Sequence, residues 1–435
     1  MMKKKGLIWA GITLIIACVL MIGVVIWSDY QKNQDAMAGN DTQMSTEDAD
    51  GSEGTGGQEE KKEPQRIRLM MVGDNLLHMG IVNSGVQADG TRNYDMLFEP
   101  IKSHLDYADI KIINQETILG GNDLGFSGYP LFNSPTEVGD AMAKAGFNVV
   151  LHSSNHSADR GIKGINNCLD FWANYPNVLV TGIFKEANVP NQDIGLMEVD
   201  GVTFAILNYT YSPNMSSLPK SIQGHLGMLC DWDQTTGAIN FTKIHPDVLT
   251  DIAAAKEMAD VVIVCPHWGT EYTFVPTSSQ KLFAKQMTEA GADLILGTHA
   301  HVIEPVEWVR ADNGNKALCY YSLGNYVSTQ RESKTMLEAM AWVTFVKEGD
   351  SVRIVEEETG AIPLVNHYLN NPVRFGNVYF LDQYTTELAN THGIHAWVKD
   401  FSVSNLQKWA KQVLGEWILS SEEVLKPSIP REYWR

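Results

Sequence analysis

Short apolar runs alternate with amphipathic stretches over most of the chain. A run of four to eight apolar residues bounded by turn residues is typical of a buried strand, and apolar positions repeated every three or four residues are typical of a helix. The runs predict strands at residues 66–72, 110–113, 148–151, 202–208, 261–265, 293–296 and 317–322. The repeats predict helices at residues 94–107, 136–145, 164–172, 248–258 and 278–290. Strands that alternate with helices in this way predict an α/β fold.

The pattern changes towards the C-terminus. Residues 340–346 and 351–357 are typical of antiparallel strands, and residues 403–418 of an amphipathic helix. We therefore expect a main domain over residues 67–345, which residues 346–435 either complete or extend.

The N-terminal region predicts a membrane anchor. Residues 1–5 carry three lysines, and residues 6–27 form a run of 22 without a charged side chain. At 1.5 Å per residue, a helix of this length crosses a bilayer core of about 30 Å. The preceding lysines predict a short cytoplasmic tail and an extracytoplasmic main domain. Residues 28–66, rich in Gly, Asp, Glu, Gln, Ser and Thr, predict a disordered acidic linker between anchor and domain.

Two other interpretations of the N-terminus stay open. A cleaved signal peptide is one, although its apolar region is usually shorter. Lipid attachment at Cys18 is the other, because residues 15–18 resemble a lipoprotein processing box. The apolar run continues nine residues beyond Cys18, which favours an uncleaved anchor.

Composition narrows the class of protein. The 435 residues suffice for one large or two ordinary domains. A formal net charge of −19 argues against a surface that binds nucleic acid. The five cysteines are scattered without a CxxC pair, which excludes a zinc ribbon or a thioredoxin motif and disfavours a disulfide framework.

Polar side chains of the metal-binding type follow several of the predicted strands. Ligands of open α/β sheets bind outside the carboxyl ends of the strands, where such side chains meet. Carboxylates, imidazoles and an amide oxygen suit Zn, Mn or Fe, and a site for two ions needs a bridging carboxylate with several imidazoles. Taken singly, each residue has a structural alternative, such as a helix cap, an Asx-turn or packing against an aromatic ring. The residues are Asp74, Glu116, Asn155, His156, His267, His299 and His301.

The order of these motifs resembles the CapA family of poly-γ-glutamate capsule-synthesis proteins, which in turn resemble the calcineurin-like metallophosphoesterases. The resemblance implies a metallophosphatase-like two-sheet β-sandwich flanked by helices. It extends over about residues 66–330. The segments that carry it are VGDNLLH (72–78), NQET (114–117), SSNHSADRG (153–161), HWGTEY (267–272), AGADLILGTHAH (290–301) and YSLGNYV (321–327).

The same resemblance implies roles for individual residues. One or two divalent ions would be bound, with Glu116 as the bridge between them. His156 would lie beside the ions as proton donor or transition-state stabiliser, and Asp159 could orient its ring. The implied metal ligands are Asp74, Glu116, Asn155, His267, His299 and His301.

The chain departs from the related families at three places. The Asp-x-His of the phosphoesterases is absent, because Asn75 and Leu76 follow Asp74. Asn114-x-Glu116 replaces their Gly-Asp motif, and Ala300 stands where many capsule proteins have proline. The first departure weakens one metal position and leaves enzymatic activity open.

The expected protein is a single-pass membrane protein that acts extracytoplasmically in the synthesis, export or attachment of an anionic polymer such as poly-γ-glutamate. If it is active, it is a metal-dependent phosphoesterase-like hydrolase. Its expected partners are the polymer or a phosphoester substrate and subunits of a membrane polymer synthase. Two alternatives stay open: a non-catalytic accessory that binds the polymer or the synthase, and a general cell-envelope metallophosphoesterase.

Several further residues have weaker interpretations. Four side chains either line a polymer groove or pack in the core, and they are Tyr129, Phe132, Asn133 and Trp268. Five histidines are not expected to be ligands, and they are His78, His104, His152, His225 and His245.

Overall fold

Sixteen strands form the framework of the described part of the chain, residues 66–349 and 351–426 of a computed structural model. In chain order they are β1 Arg66–Asp74, β2 Ile110–Asn114, β3 Val149–Leu151, β4 Leu179–Thr181, β5 Gly195–Val199, β6 Val202–Thr210, β7 Cys230–Trp232, β8 Ile239–Ile244, β9 Val261–His267, β10 Leu294–Leu296, β11 Val306–Arg310, β12 Lys316–Tyr320, β13 Leu337–Glu348, β14 Ser351–Ile354, β15 Gly360–Leu369 and β16 Arg374–Phe380.

Eight α-helices connect these strands within the described residues. They are α1 Met79–Ser84, α2 Lys102–Tyr107, α3 Glu137–Ala145, α4 Gly161–Trp172, α5 Pro246–Met258, α6 Ser278–Ala290, α7 Thr386–Thr391 and α8 Val403–Leu414. No helix of the described residues combines the length and the hydrophobicity needed to cross a bilayer. The predicted tail, membrane span and linker lie outside the described residues, apart from Arg66.

The strands form two large sheets and one small one. The first large sheet has the order β16-β15-β13-β1-β2-β3-β4, with β14 beside β13, and the second has the order β11-β12-β10-β9-β6-β5. Strands β1 to β4 run parallel, as do β6, β9, β10 and β12. Each large sheet therefore contains a group of parallel strands whose carboxyl ends lie at one edge of that sheet.

The two large sheets pack face to face around a shared apolar core. Alternate residues of β1 point to opposite faces, so Leu69 and Met71 contact the second sheet whereas Met70 packs against helices. In β6, Ile206 belongs to the core between the sheets and Leu207 to the outer core beneath α5 and α6. The predicted α/β fold is confirmed as a mixed fold with helices on both outer faces.

The predicted helix at residues 94–107 is wrong over its first half. The structure has two 3-10 turns there, Asp95–Leu97 and Glu99–Ile101, and only α2 is α-helical. Pro100 lacks the backbone N–H that a continuous helix would need and restricts the residue before it. The predicted helix at 403–418 likewise stops at Leu414, because Gly415 adopts a φ of 56°.

The remaining predicted elements occur within a few residues of their expected bounds. The antiparallel pair near the C-terminus exists as β13 and β14, although β14 ends at Ile354. The strands that the sequence pattern missed are short, edge or interrupted strands: β4, β5, β7, β8, β11, β15 and β16. Strand β15 is buried throughout most of its length, but Asn366 and His367 interrupt its apolar run.

Candidate metal centre

Three buried side chains meet at the carboxyl ends of β1 and β2. Asp74 ends β1, and Glu116 follows Asn114, the last residue of β2, which is paired with Asp74 in the sheet. His301 Nδ1 lies 3.4 Å from Asp74 Oδ2 and 3.9 Å from Glu116 Oε2. The ligand atoms of Asp74, Glu116 and His301 all lie within 4.8 Å of one another. This separation is compatible with binding of a single metal ion.

A second group joins the two sheets. Asn155 follows β3 of the first sheet, and His267 ends β9 of the second. Asn155 Oδ1 lies 3.0 Å from His267 Nε2, and the imidazole of His299 lies 4.8 Å from that of His267 between ring centroids. Thr298 Oγ1, 2.9 Å from His267 Nδ1, fixes the other side of the His267 ring.

The two histidines after β10 have unusual backbone conformations. His299 has a φ of 96° and His301 a φ of 57°, in the region that favours glycine. Such conformations cost of the order of 1–3 kcal/mol each and persist where the surrounding structure imposes them. The backbone N–H of His299 donates to Asp74 Oδ2 at 3.2 Å, which ties this turn to the end of β1.

Burial and neighbouring charges set the ionisation of the cluster. Burial and the adjacent Asp74 carboxylate raise the pKa of Glu116 well above its usual value. Burial and neighbouring imidazoles hold the pKa of His267 and of His299 well below the usual value. Burial opposes ionisation of His301, but Glu116 and Asp74 outweigh it and raise the pKa of His301 to about 9. His267 and His299 are therefore neutral imidazoles, the form that binds metal ions.

The donor set has the properties of a cation site. Among the described residues, both carboxylate oxygens of Glu116 and Nδ1 of His299 are buried without a hydrogen-bond partner. Buried polar atoms normally have a partner, and those that lack one call for an explanation such as an ion. Carboxylate oxygens beside neutral imidazoles are ligands that Zn, Mn and Fe accept. The residues present thus fit a divalent cation.

His156 and Asp159 form a pair at the edge of this cluster. His156 Nδ1 lies 2.7 Å from Asp159 Oδ2, and Phe132 N donates to the same oxygen at 2.7 Å. The edge of the Phe132 ring contacts the His156 ring at 4.6 Å between centroids. Asp159 and Phe132 therefore restrict the orientation of the imidazole.

Other residues of the site were missed or only quoted within motifs. Asn325 Oδ1 lies 2.8 Å from His301 Nδ1, and Glu271 Oε1 lies 4.0 Å from His301 Nε2. Both belong to motifs that carry the family resemblance, and Thr298 adjoins His299. Asn214 contacts Asn155 and His156 but lies in a segment without any recognisable motif.

The residues with weaker interpretations divide between core and site. Trp268 is buried and its indole N–H donates to Tyr321 O at 2.9 Å, which favours the core interpretation for this residue. Asn133 is buried too, whereas Tyr129 is 77% exposed. Of the five histidines not expected to be ligands, His78 lies near the site: burial and then the His301 charge lower its pKa to about 4.

Comparison with known proteins gives a consistent family match. Residues 68–330 match the family model described as bacterial capsule synthesis protein PGA_cap. The chain is 31% identical over 204 residues to the PGA biosynthesis protein CapA of Bacillus subtilis (strain 168), covering 47% of this chain and 48% of that protein. It is 28% identical over 291 residues to the capsule biosynthesis protein CapA of Bacillus anthracis, covering 64% of each. The chain thus spans between about half and two thirds of the length of these relatives.

One solved structure that aligns with this chain is that of the calcineurin-like phosphoesterase YfkN from Bacillus subtilis. It aligns with a TM-score of 0.36 and 11% sequence identity, covering 83% of this chain and 98% of that chain.

Proposed function

The chain belongs to the PGA_cap family of bacterial capsule synthesis proteins, and from this membership we propose that it acts in the synthesis, export or attachment of an anionic cell-surface polymer of the poly-γ-glutamate type. We propose further that it does so through a metal-dependent hydrolase-type site. Names of the two Bacillus relatives, which refer to capsule and PGA biosynthesis, support the first part.

One observation carries the second part of the proposal. Glu116 is fully buried beside Asp74 with both carboxylate oxygens unpartnered, while His299 Nδ1 is also buried and unpartnered within the described residues. A buried carboxyl group whose oxygens lack hydrogen-bond partners is unfavourable, and a bound cation would compensate it. A cluster that leaves these atoms free is therefore better explained by metal binding than by packing.

The ligands separate into two groups that share Glu116. Asp74, Glu116 and His301 would hold one divalent cation. Asn155, His267 and His299 would hold a second, and Glu116 would contribute to both sites. When bound, such cations polarise a phosphoryl or carbonyl oxygen and make a coordinated water more acidic.

The chain's own residues then orient and protonate the substrate. Asp159 holds the His156 ring through Nδ1, and Nε2 lies 3.5 Å from Asn214 Nδ2 at the edge of the site. In its protonated form, His156 can donate a proton or a hydrogen bond from Nε2 to a substrate oxygen as negative charge develops on the leaving group. The Phe132 ring contacts this imidazole in a T-shaped arrangement.

We extend the proposal to location and partners. The uncharged run at residues 6–27 and the lysines before it support a single-pass anchor with the main domain outside the cytoplasm. A polymer or phosphoester substrate is anionic, and the net charge of −19 would repel it unless local cations attract it. Subunits of a membrane polymer synthase are the proposed protein partners.

A non-catalytic accessory role is the competing function, and one observation favours it. Leu76 occupies the position where the phosphoesterases have the histidine of Asp-x-His, and its side chain is buried in the core. One ligand is therefore missing from one metal position. An accessory would bind the polymer or the synthase through the same fold without hydrolysis.

Elemental analysis of the full-length protein tests the metal site. We expect Mn, Zn or Fe in the purified protein, and less of it in His267→Ala and in His299→Ala, because each variant removes an imidazole from a small ligand set. His225→Ala is the matched control, since His225 Nδ1 contacts the backbone oxygen of Phe184 instead. Equal metal content in all four proteins contradicts the metal site.

Hydrolysis assays separate the functions. A metal-loaded protein that cleaves a model phosphodiester or a γ-glutamyl peptide is a hydrolase, and the preferred substrate distinguishes a general phosphoesterase from a polymer enzyme. A metal-loaded protein that cleaves neither, yet restores capsule to a deletion strain when His156 is replaced by Gln, is an accessory.

A further inference from the structure

A tight turn after β6 carries Asn214 to the edge of the site. The backbone N–H of Tyr211 donates to His267 O at 3.0 Å, which joins the turn to the end of β9. Ser212 Oγ donates to Met215 O at 2.7 Å and accepts from Met215 N at 3.0 Å, which closes the turn around Asn214. Asn214 has a φ of 56°, a conformation that asparagine tolerates better than most residues.

The Asn214 side chain selects one orientation of the Asn155 amide. Asn214 Oδ1 accepts a hydrogen bond from Asn155 Nδ2 at 3.2 Å. An asparagine amide has a donor end and an acceptor end, so this bond turns Asn155 Oδ1 in the opposite direction. There it lies 3.0 Å from His267 Nε2, inside the candidate metal centre. An Asn155 amide rotated by 180° would present hydrogen atoms to a cation instead of a lone pair.

The same side chain contacts the neighbouring His156. Asp159 Oδ2 accepts from the His156 Nδ1–H, which leaves Nε2 of a neutral ring as an acceptor. Asn214 Nδ2 lies 3.5 Å from this Nε2 and has hydrogens to donate. One exposed amide thus contacts two adjacent residues of the site with its two different ends.

Tyr211 supports Asn214 from the other side of the turn. Its hydroxyl donates to Asn214 Oδ1 at 3.4 Å, and its ring packs on that of His299 at 4.6 Å between centroids. The turn therefore contacts both the group that follows β3 and the group that follows β10.

We propose that Asn214 is a positioning residue, which directs the Asn155 oxygen towards the cation and holds the His156 ring for the substrate. This inference rests on the proposed function, because the direction of the Asn155 oxygen matters to a ligand only where a cation binds. Residues outside the immediate metal ligands act in this way through hydrogen bonds that orient the ligands.

Three variants of the full-length protein test the role of Asn214. Asn214→Gly removes the side chain without straining the backbone, since glycine adopts a positive φ freely. Asn214→Asp keeps an acceptor for Asn155 Nδ2 but places an oxygen where the donor to His156 stood. Asn191→Gly is the matched control, because Asn191 also has a positive φ, of 59°, and no hydrogen bond among the described residues joins it to Asn155 or His156.

The first measurement needs no metal. With asparagine-selective labelling, NMR reports the hydrogen exchange of the Asn155 side-chain amide in chelated protein. We expect faster exchange in Asn214→Gly than in wild type, and wild-type exchange in Asn191→Gly and Asn214→Asp. Unchanged exchange in Asn214→Gly overturns the positioning role, whatever the metal content of the protein.

The second measurement is Mn²⁺ affinity by calorimetry. We expect about tenfold weaker binding in Asn214→Gly, at the lower end of the 10–100-fold effects of such outer residues. Asn214→Asp should bind at least as tightly as wild type but lose hydrolysis through its altered contact with His156. Wild-type affinity in Asn214→Gly, or no recovery in Asn214→Asp, overturns the inference. A wild-type protein that binds no Mn²⁺, Zn²⁺ or Fe²⁺ overturns the proposed function instead, and the NMR measurement then decides the positioning role alone.

Discussion

Glycine should replace His299 with a smaller loss of stability than alanine does. At a φ of 96°, any residue with a Cβ is strained, by of the order of 1–3 kcal/mol. Glycine escapes this strain but loses about 0.5–1 kcal/mol more chain entropy on folding than alanine. Both variants lose the same ring contacts with His267 and Tyr211. The difference leaves His299→Gly more stable than His299→Ala by about 1 kcal/mol, within a range of about 0–2.5 kcal/mol.

The neighbouring His267 provides a control, because there the alanine variant should be more stable than the glycine variant. It lies at the end of β9, and its φ is not in the positive region. Here alanine carries no backbone strain, so His267→Ala should be about 0.5–1 kcal/mol more stable than His267→Gly. All four variants lose an imidazole from the site and should bind less metal than wild type.

Urea unfolding of the chelated full-length proteins, followed by circular dichroism, measures both differences from the shift in midpoint at constant slope. A chelator is needed because bound metal would add its own contribution to the free energy of unfolding. If His299→Ala proves as stable as His299→Gly, the backbone at His299 is not strained and the reasoning fails. If the order at His267 is the same as at His299, the effect is not specific to the positive φ.

Three further outcomes are expected. Burial raises the pKa of Glu304 from the usual 4.5 to about 8, so the folded state binds a proton that the unfolded state releases, and stability falls as pH rises between these values. At about 1.4 kcal/mol per pKa unit, the free energy of unfolding of Glu304→Gln should exceed that of wild type by up to about 5 kcal/mol at pH 8 and by little at pH 4.5. Equal pH dependence of unfolding in the two proteins would contradict this. His156→Gln and Asp159→Asn should fold and keep most of their metal while hydrolysis falls about 10²–10⁴-fold for His156→Gln and less for Asp159→Asn; loss of metal in His156→Gln would instead make His156 a ligand. Protease added to intact protoplasts should cleave within residues 28–66, and cleavage only after membrane lysis would refute the proposed topology.

The parallel strands were predictable because they are buried on both faces. In the sequence, such strands are continuous apolar runs. The runs at 261–265 and 202–208 correspond to the neighbouring strands β9 and β6. Strand β5 escaped detection because it lies at a sheet edge with alternate residues exposed. The prediction of a helix at 94–107 was wrong because it gave the apolar repeat more weight than Pro100. In the chain, the missing N–H of Pro100 prevents a continuous α-helix over these residues.

The candidate site residues follow from the sequence pattern, whereas their arrangement in space does not. Each candidate follows a strand that an apolar run reveals, and the carboxyl ends of parallel strands meet at one edge. The division into two groups depends on how one sheet packs on the other, which brings Asn155 of the first against His267 of the second. That contact joins residues far apart in the chain, and no local pattern encodes it. Asn214 was missed for the same reason, since its partners lie on a different sheet.

Burial of polar groups, backbone strain and missing hydrogen-bond partners at the site all lower the stability of the metal-free chain. Without a cation, the fold carries a buried Glu116 side chain whose oxygens lack hydrogen-bond partners, and a strained backbone at His299 and His301. Each of these features lowers the stability of the metal-free chain, and the surrounding sheets must offset them. A cation that binds the folded state alone returns stability, by about 2.7 kcal/mol at a concentration of one hundred times Kd. Neutral His267 and His299 then need no deprotonation before they bind, because burial has already lowered their pKa values. The features that lower the stability of the metal-free chain are therefore the ones that the proposed cation would offset.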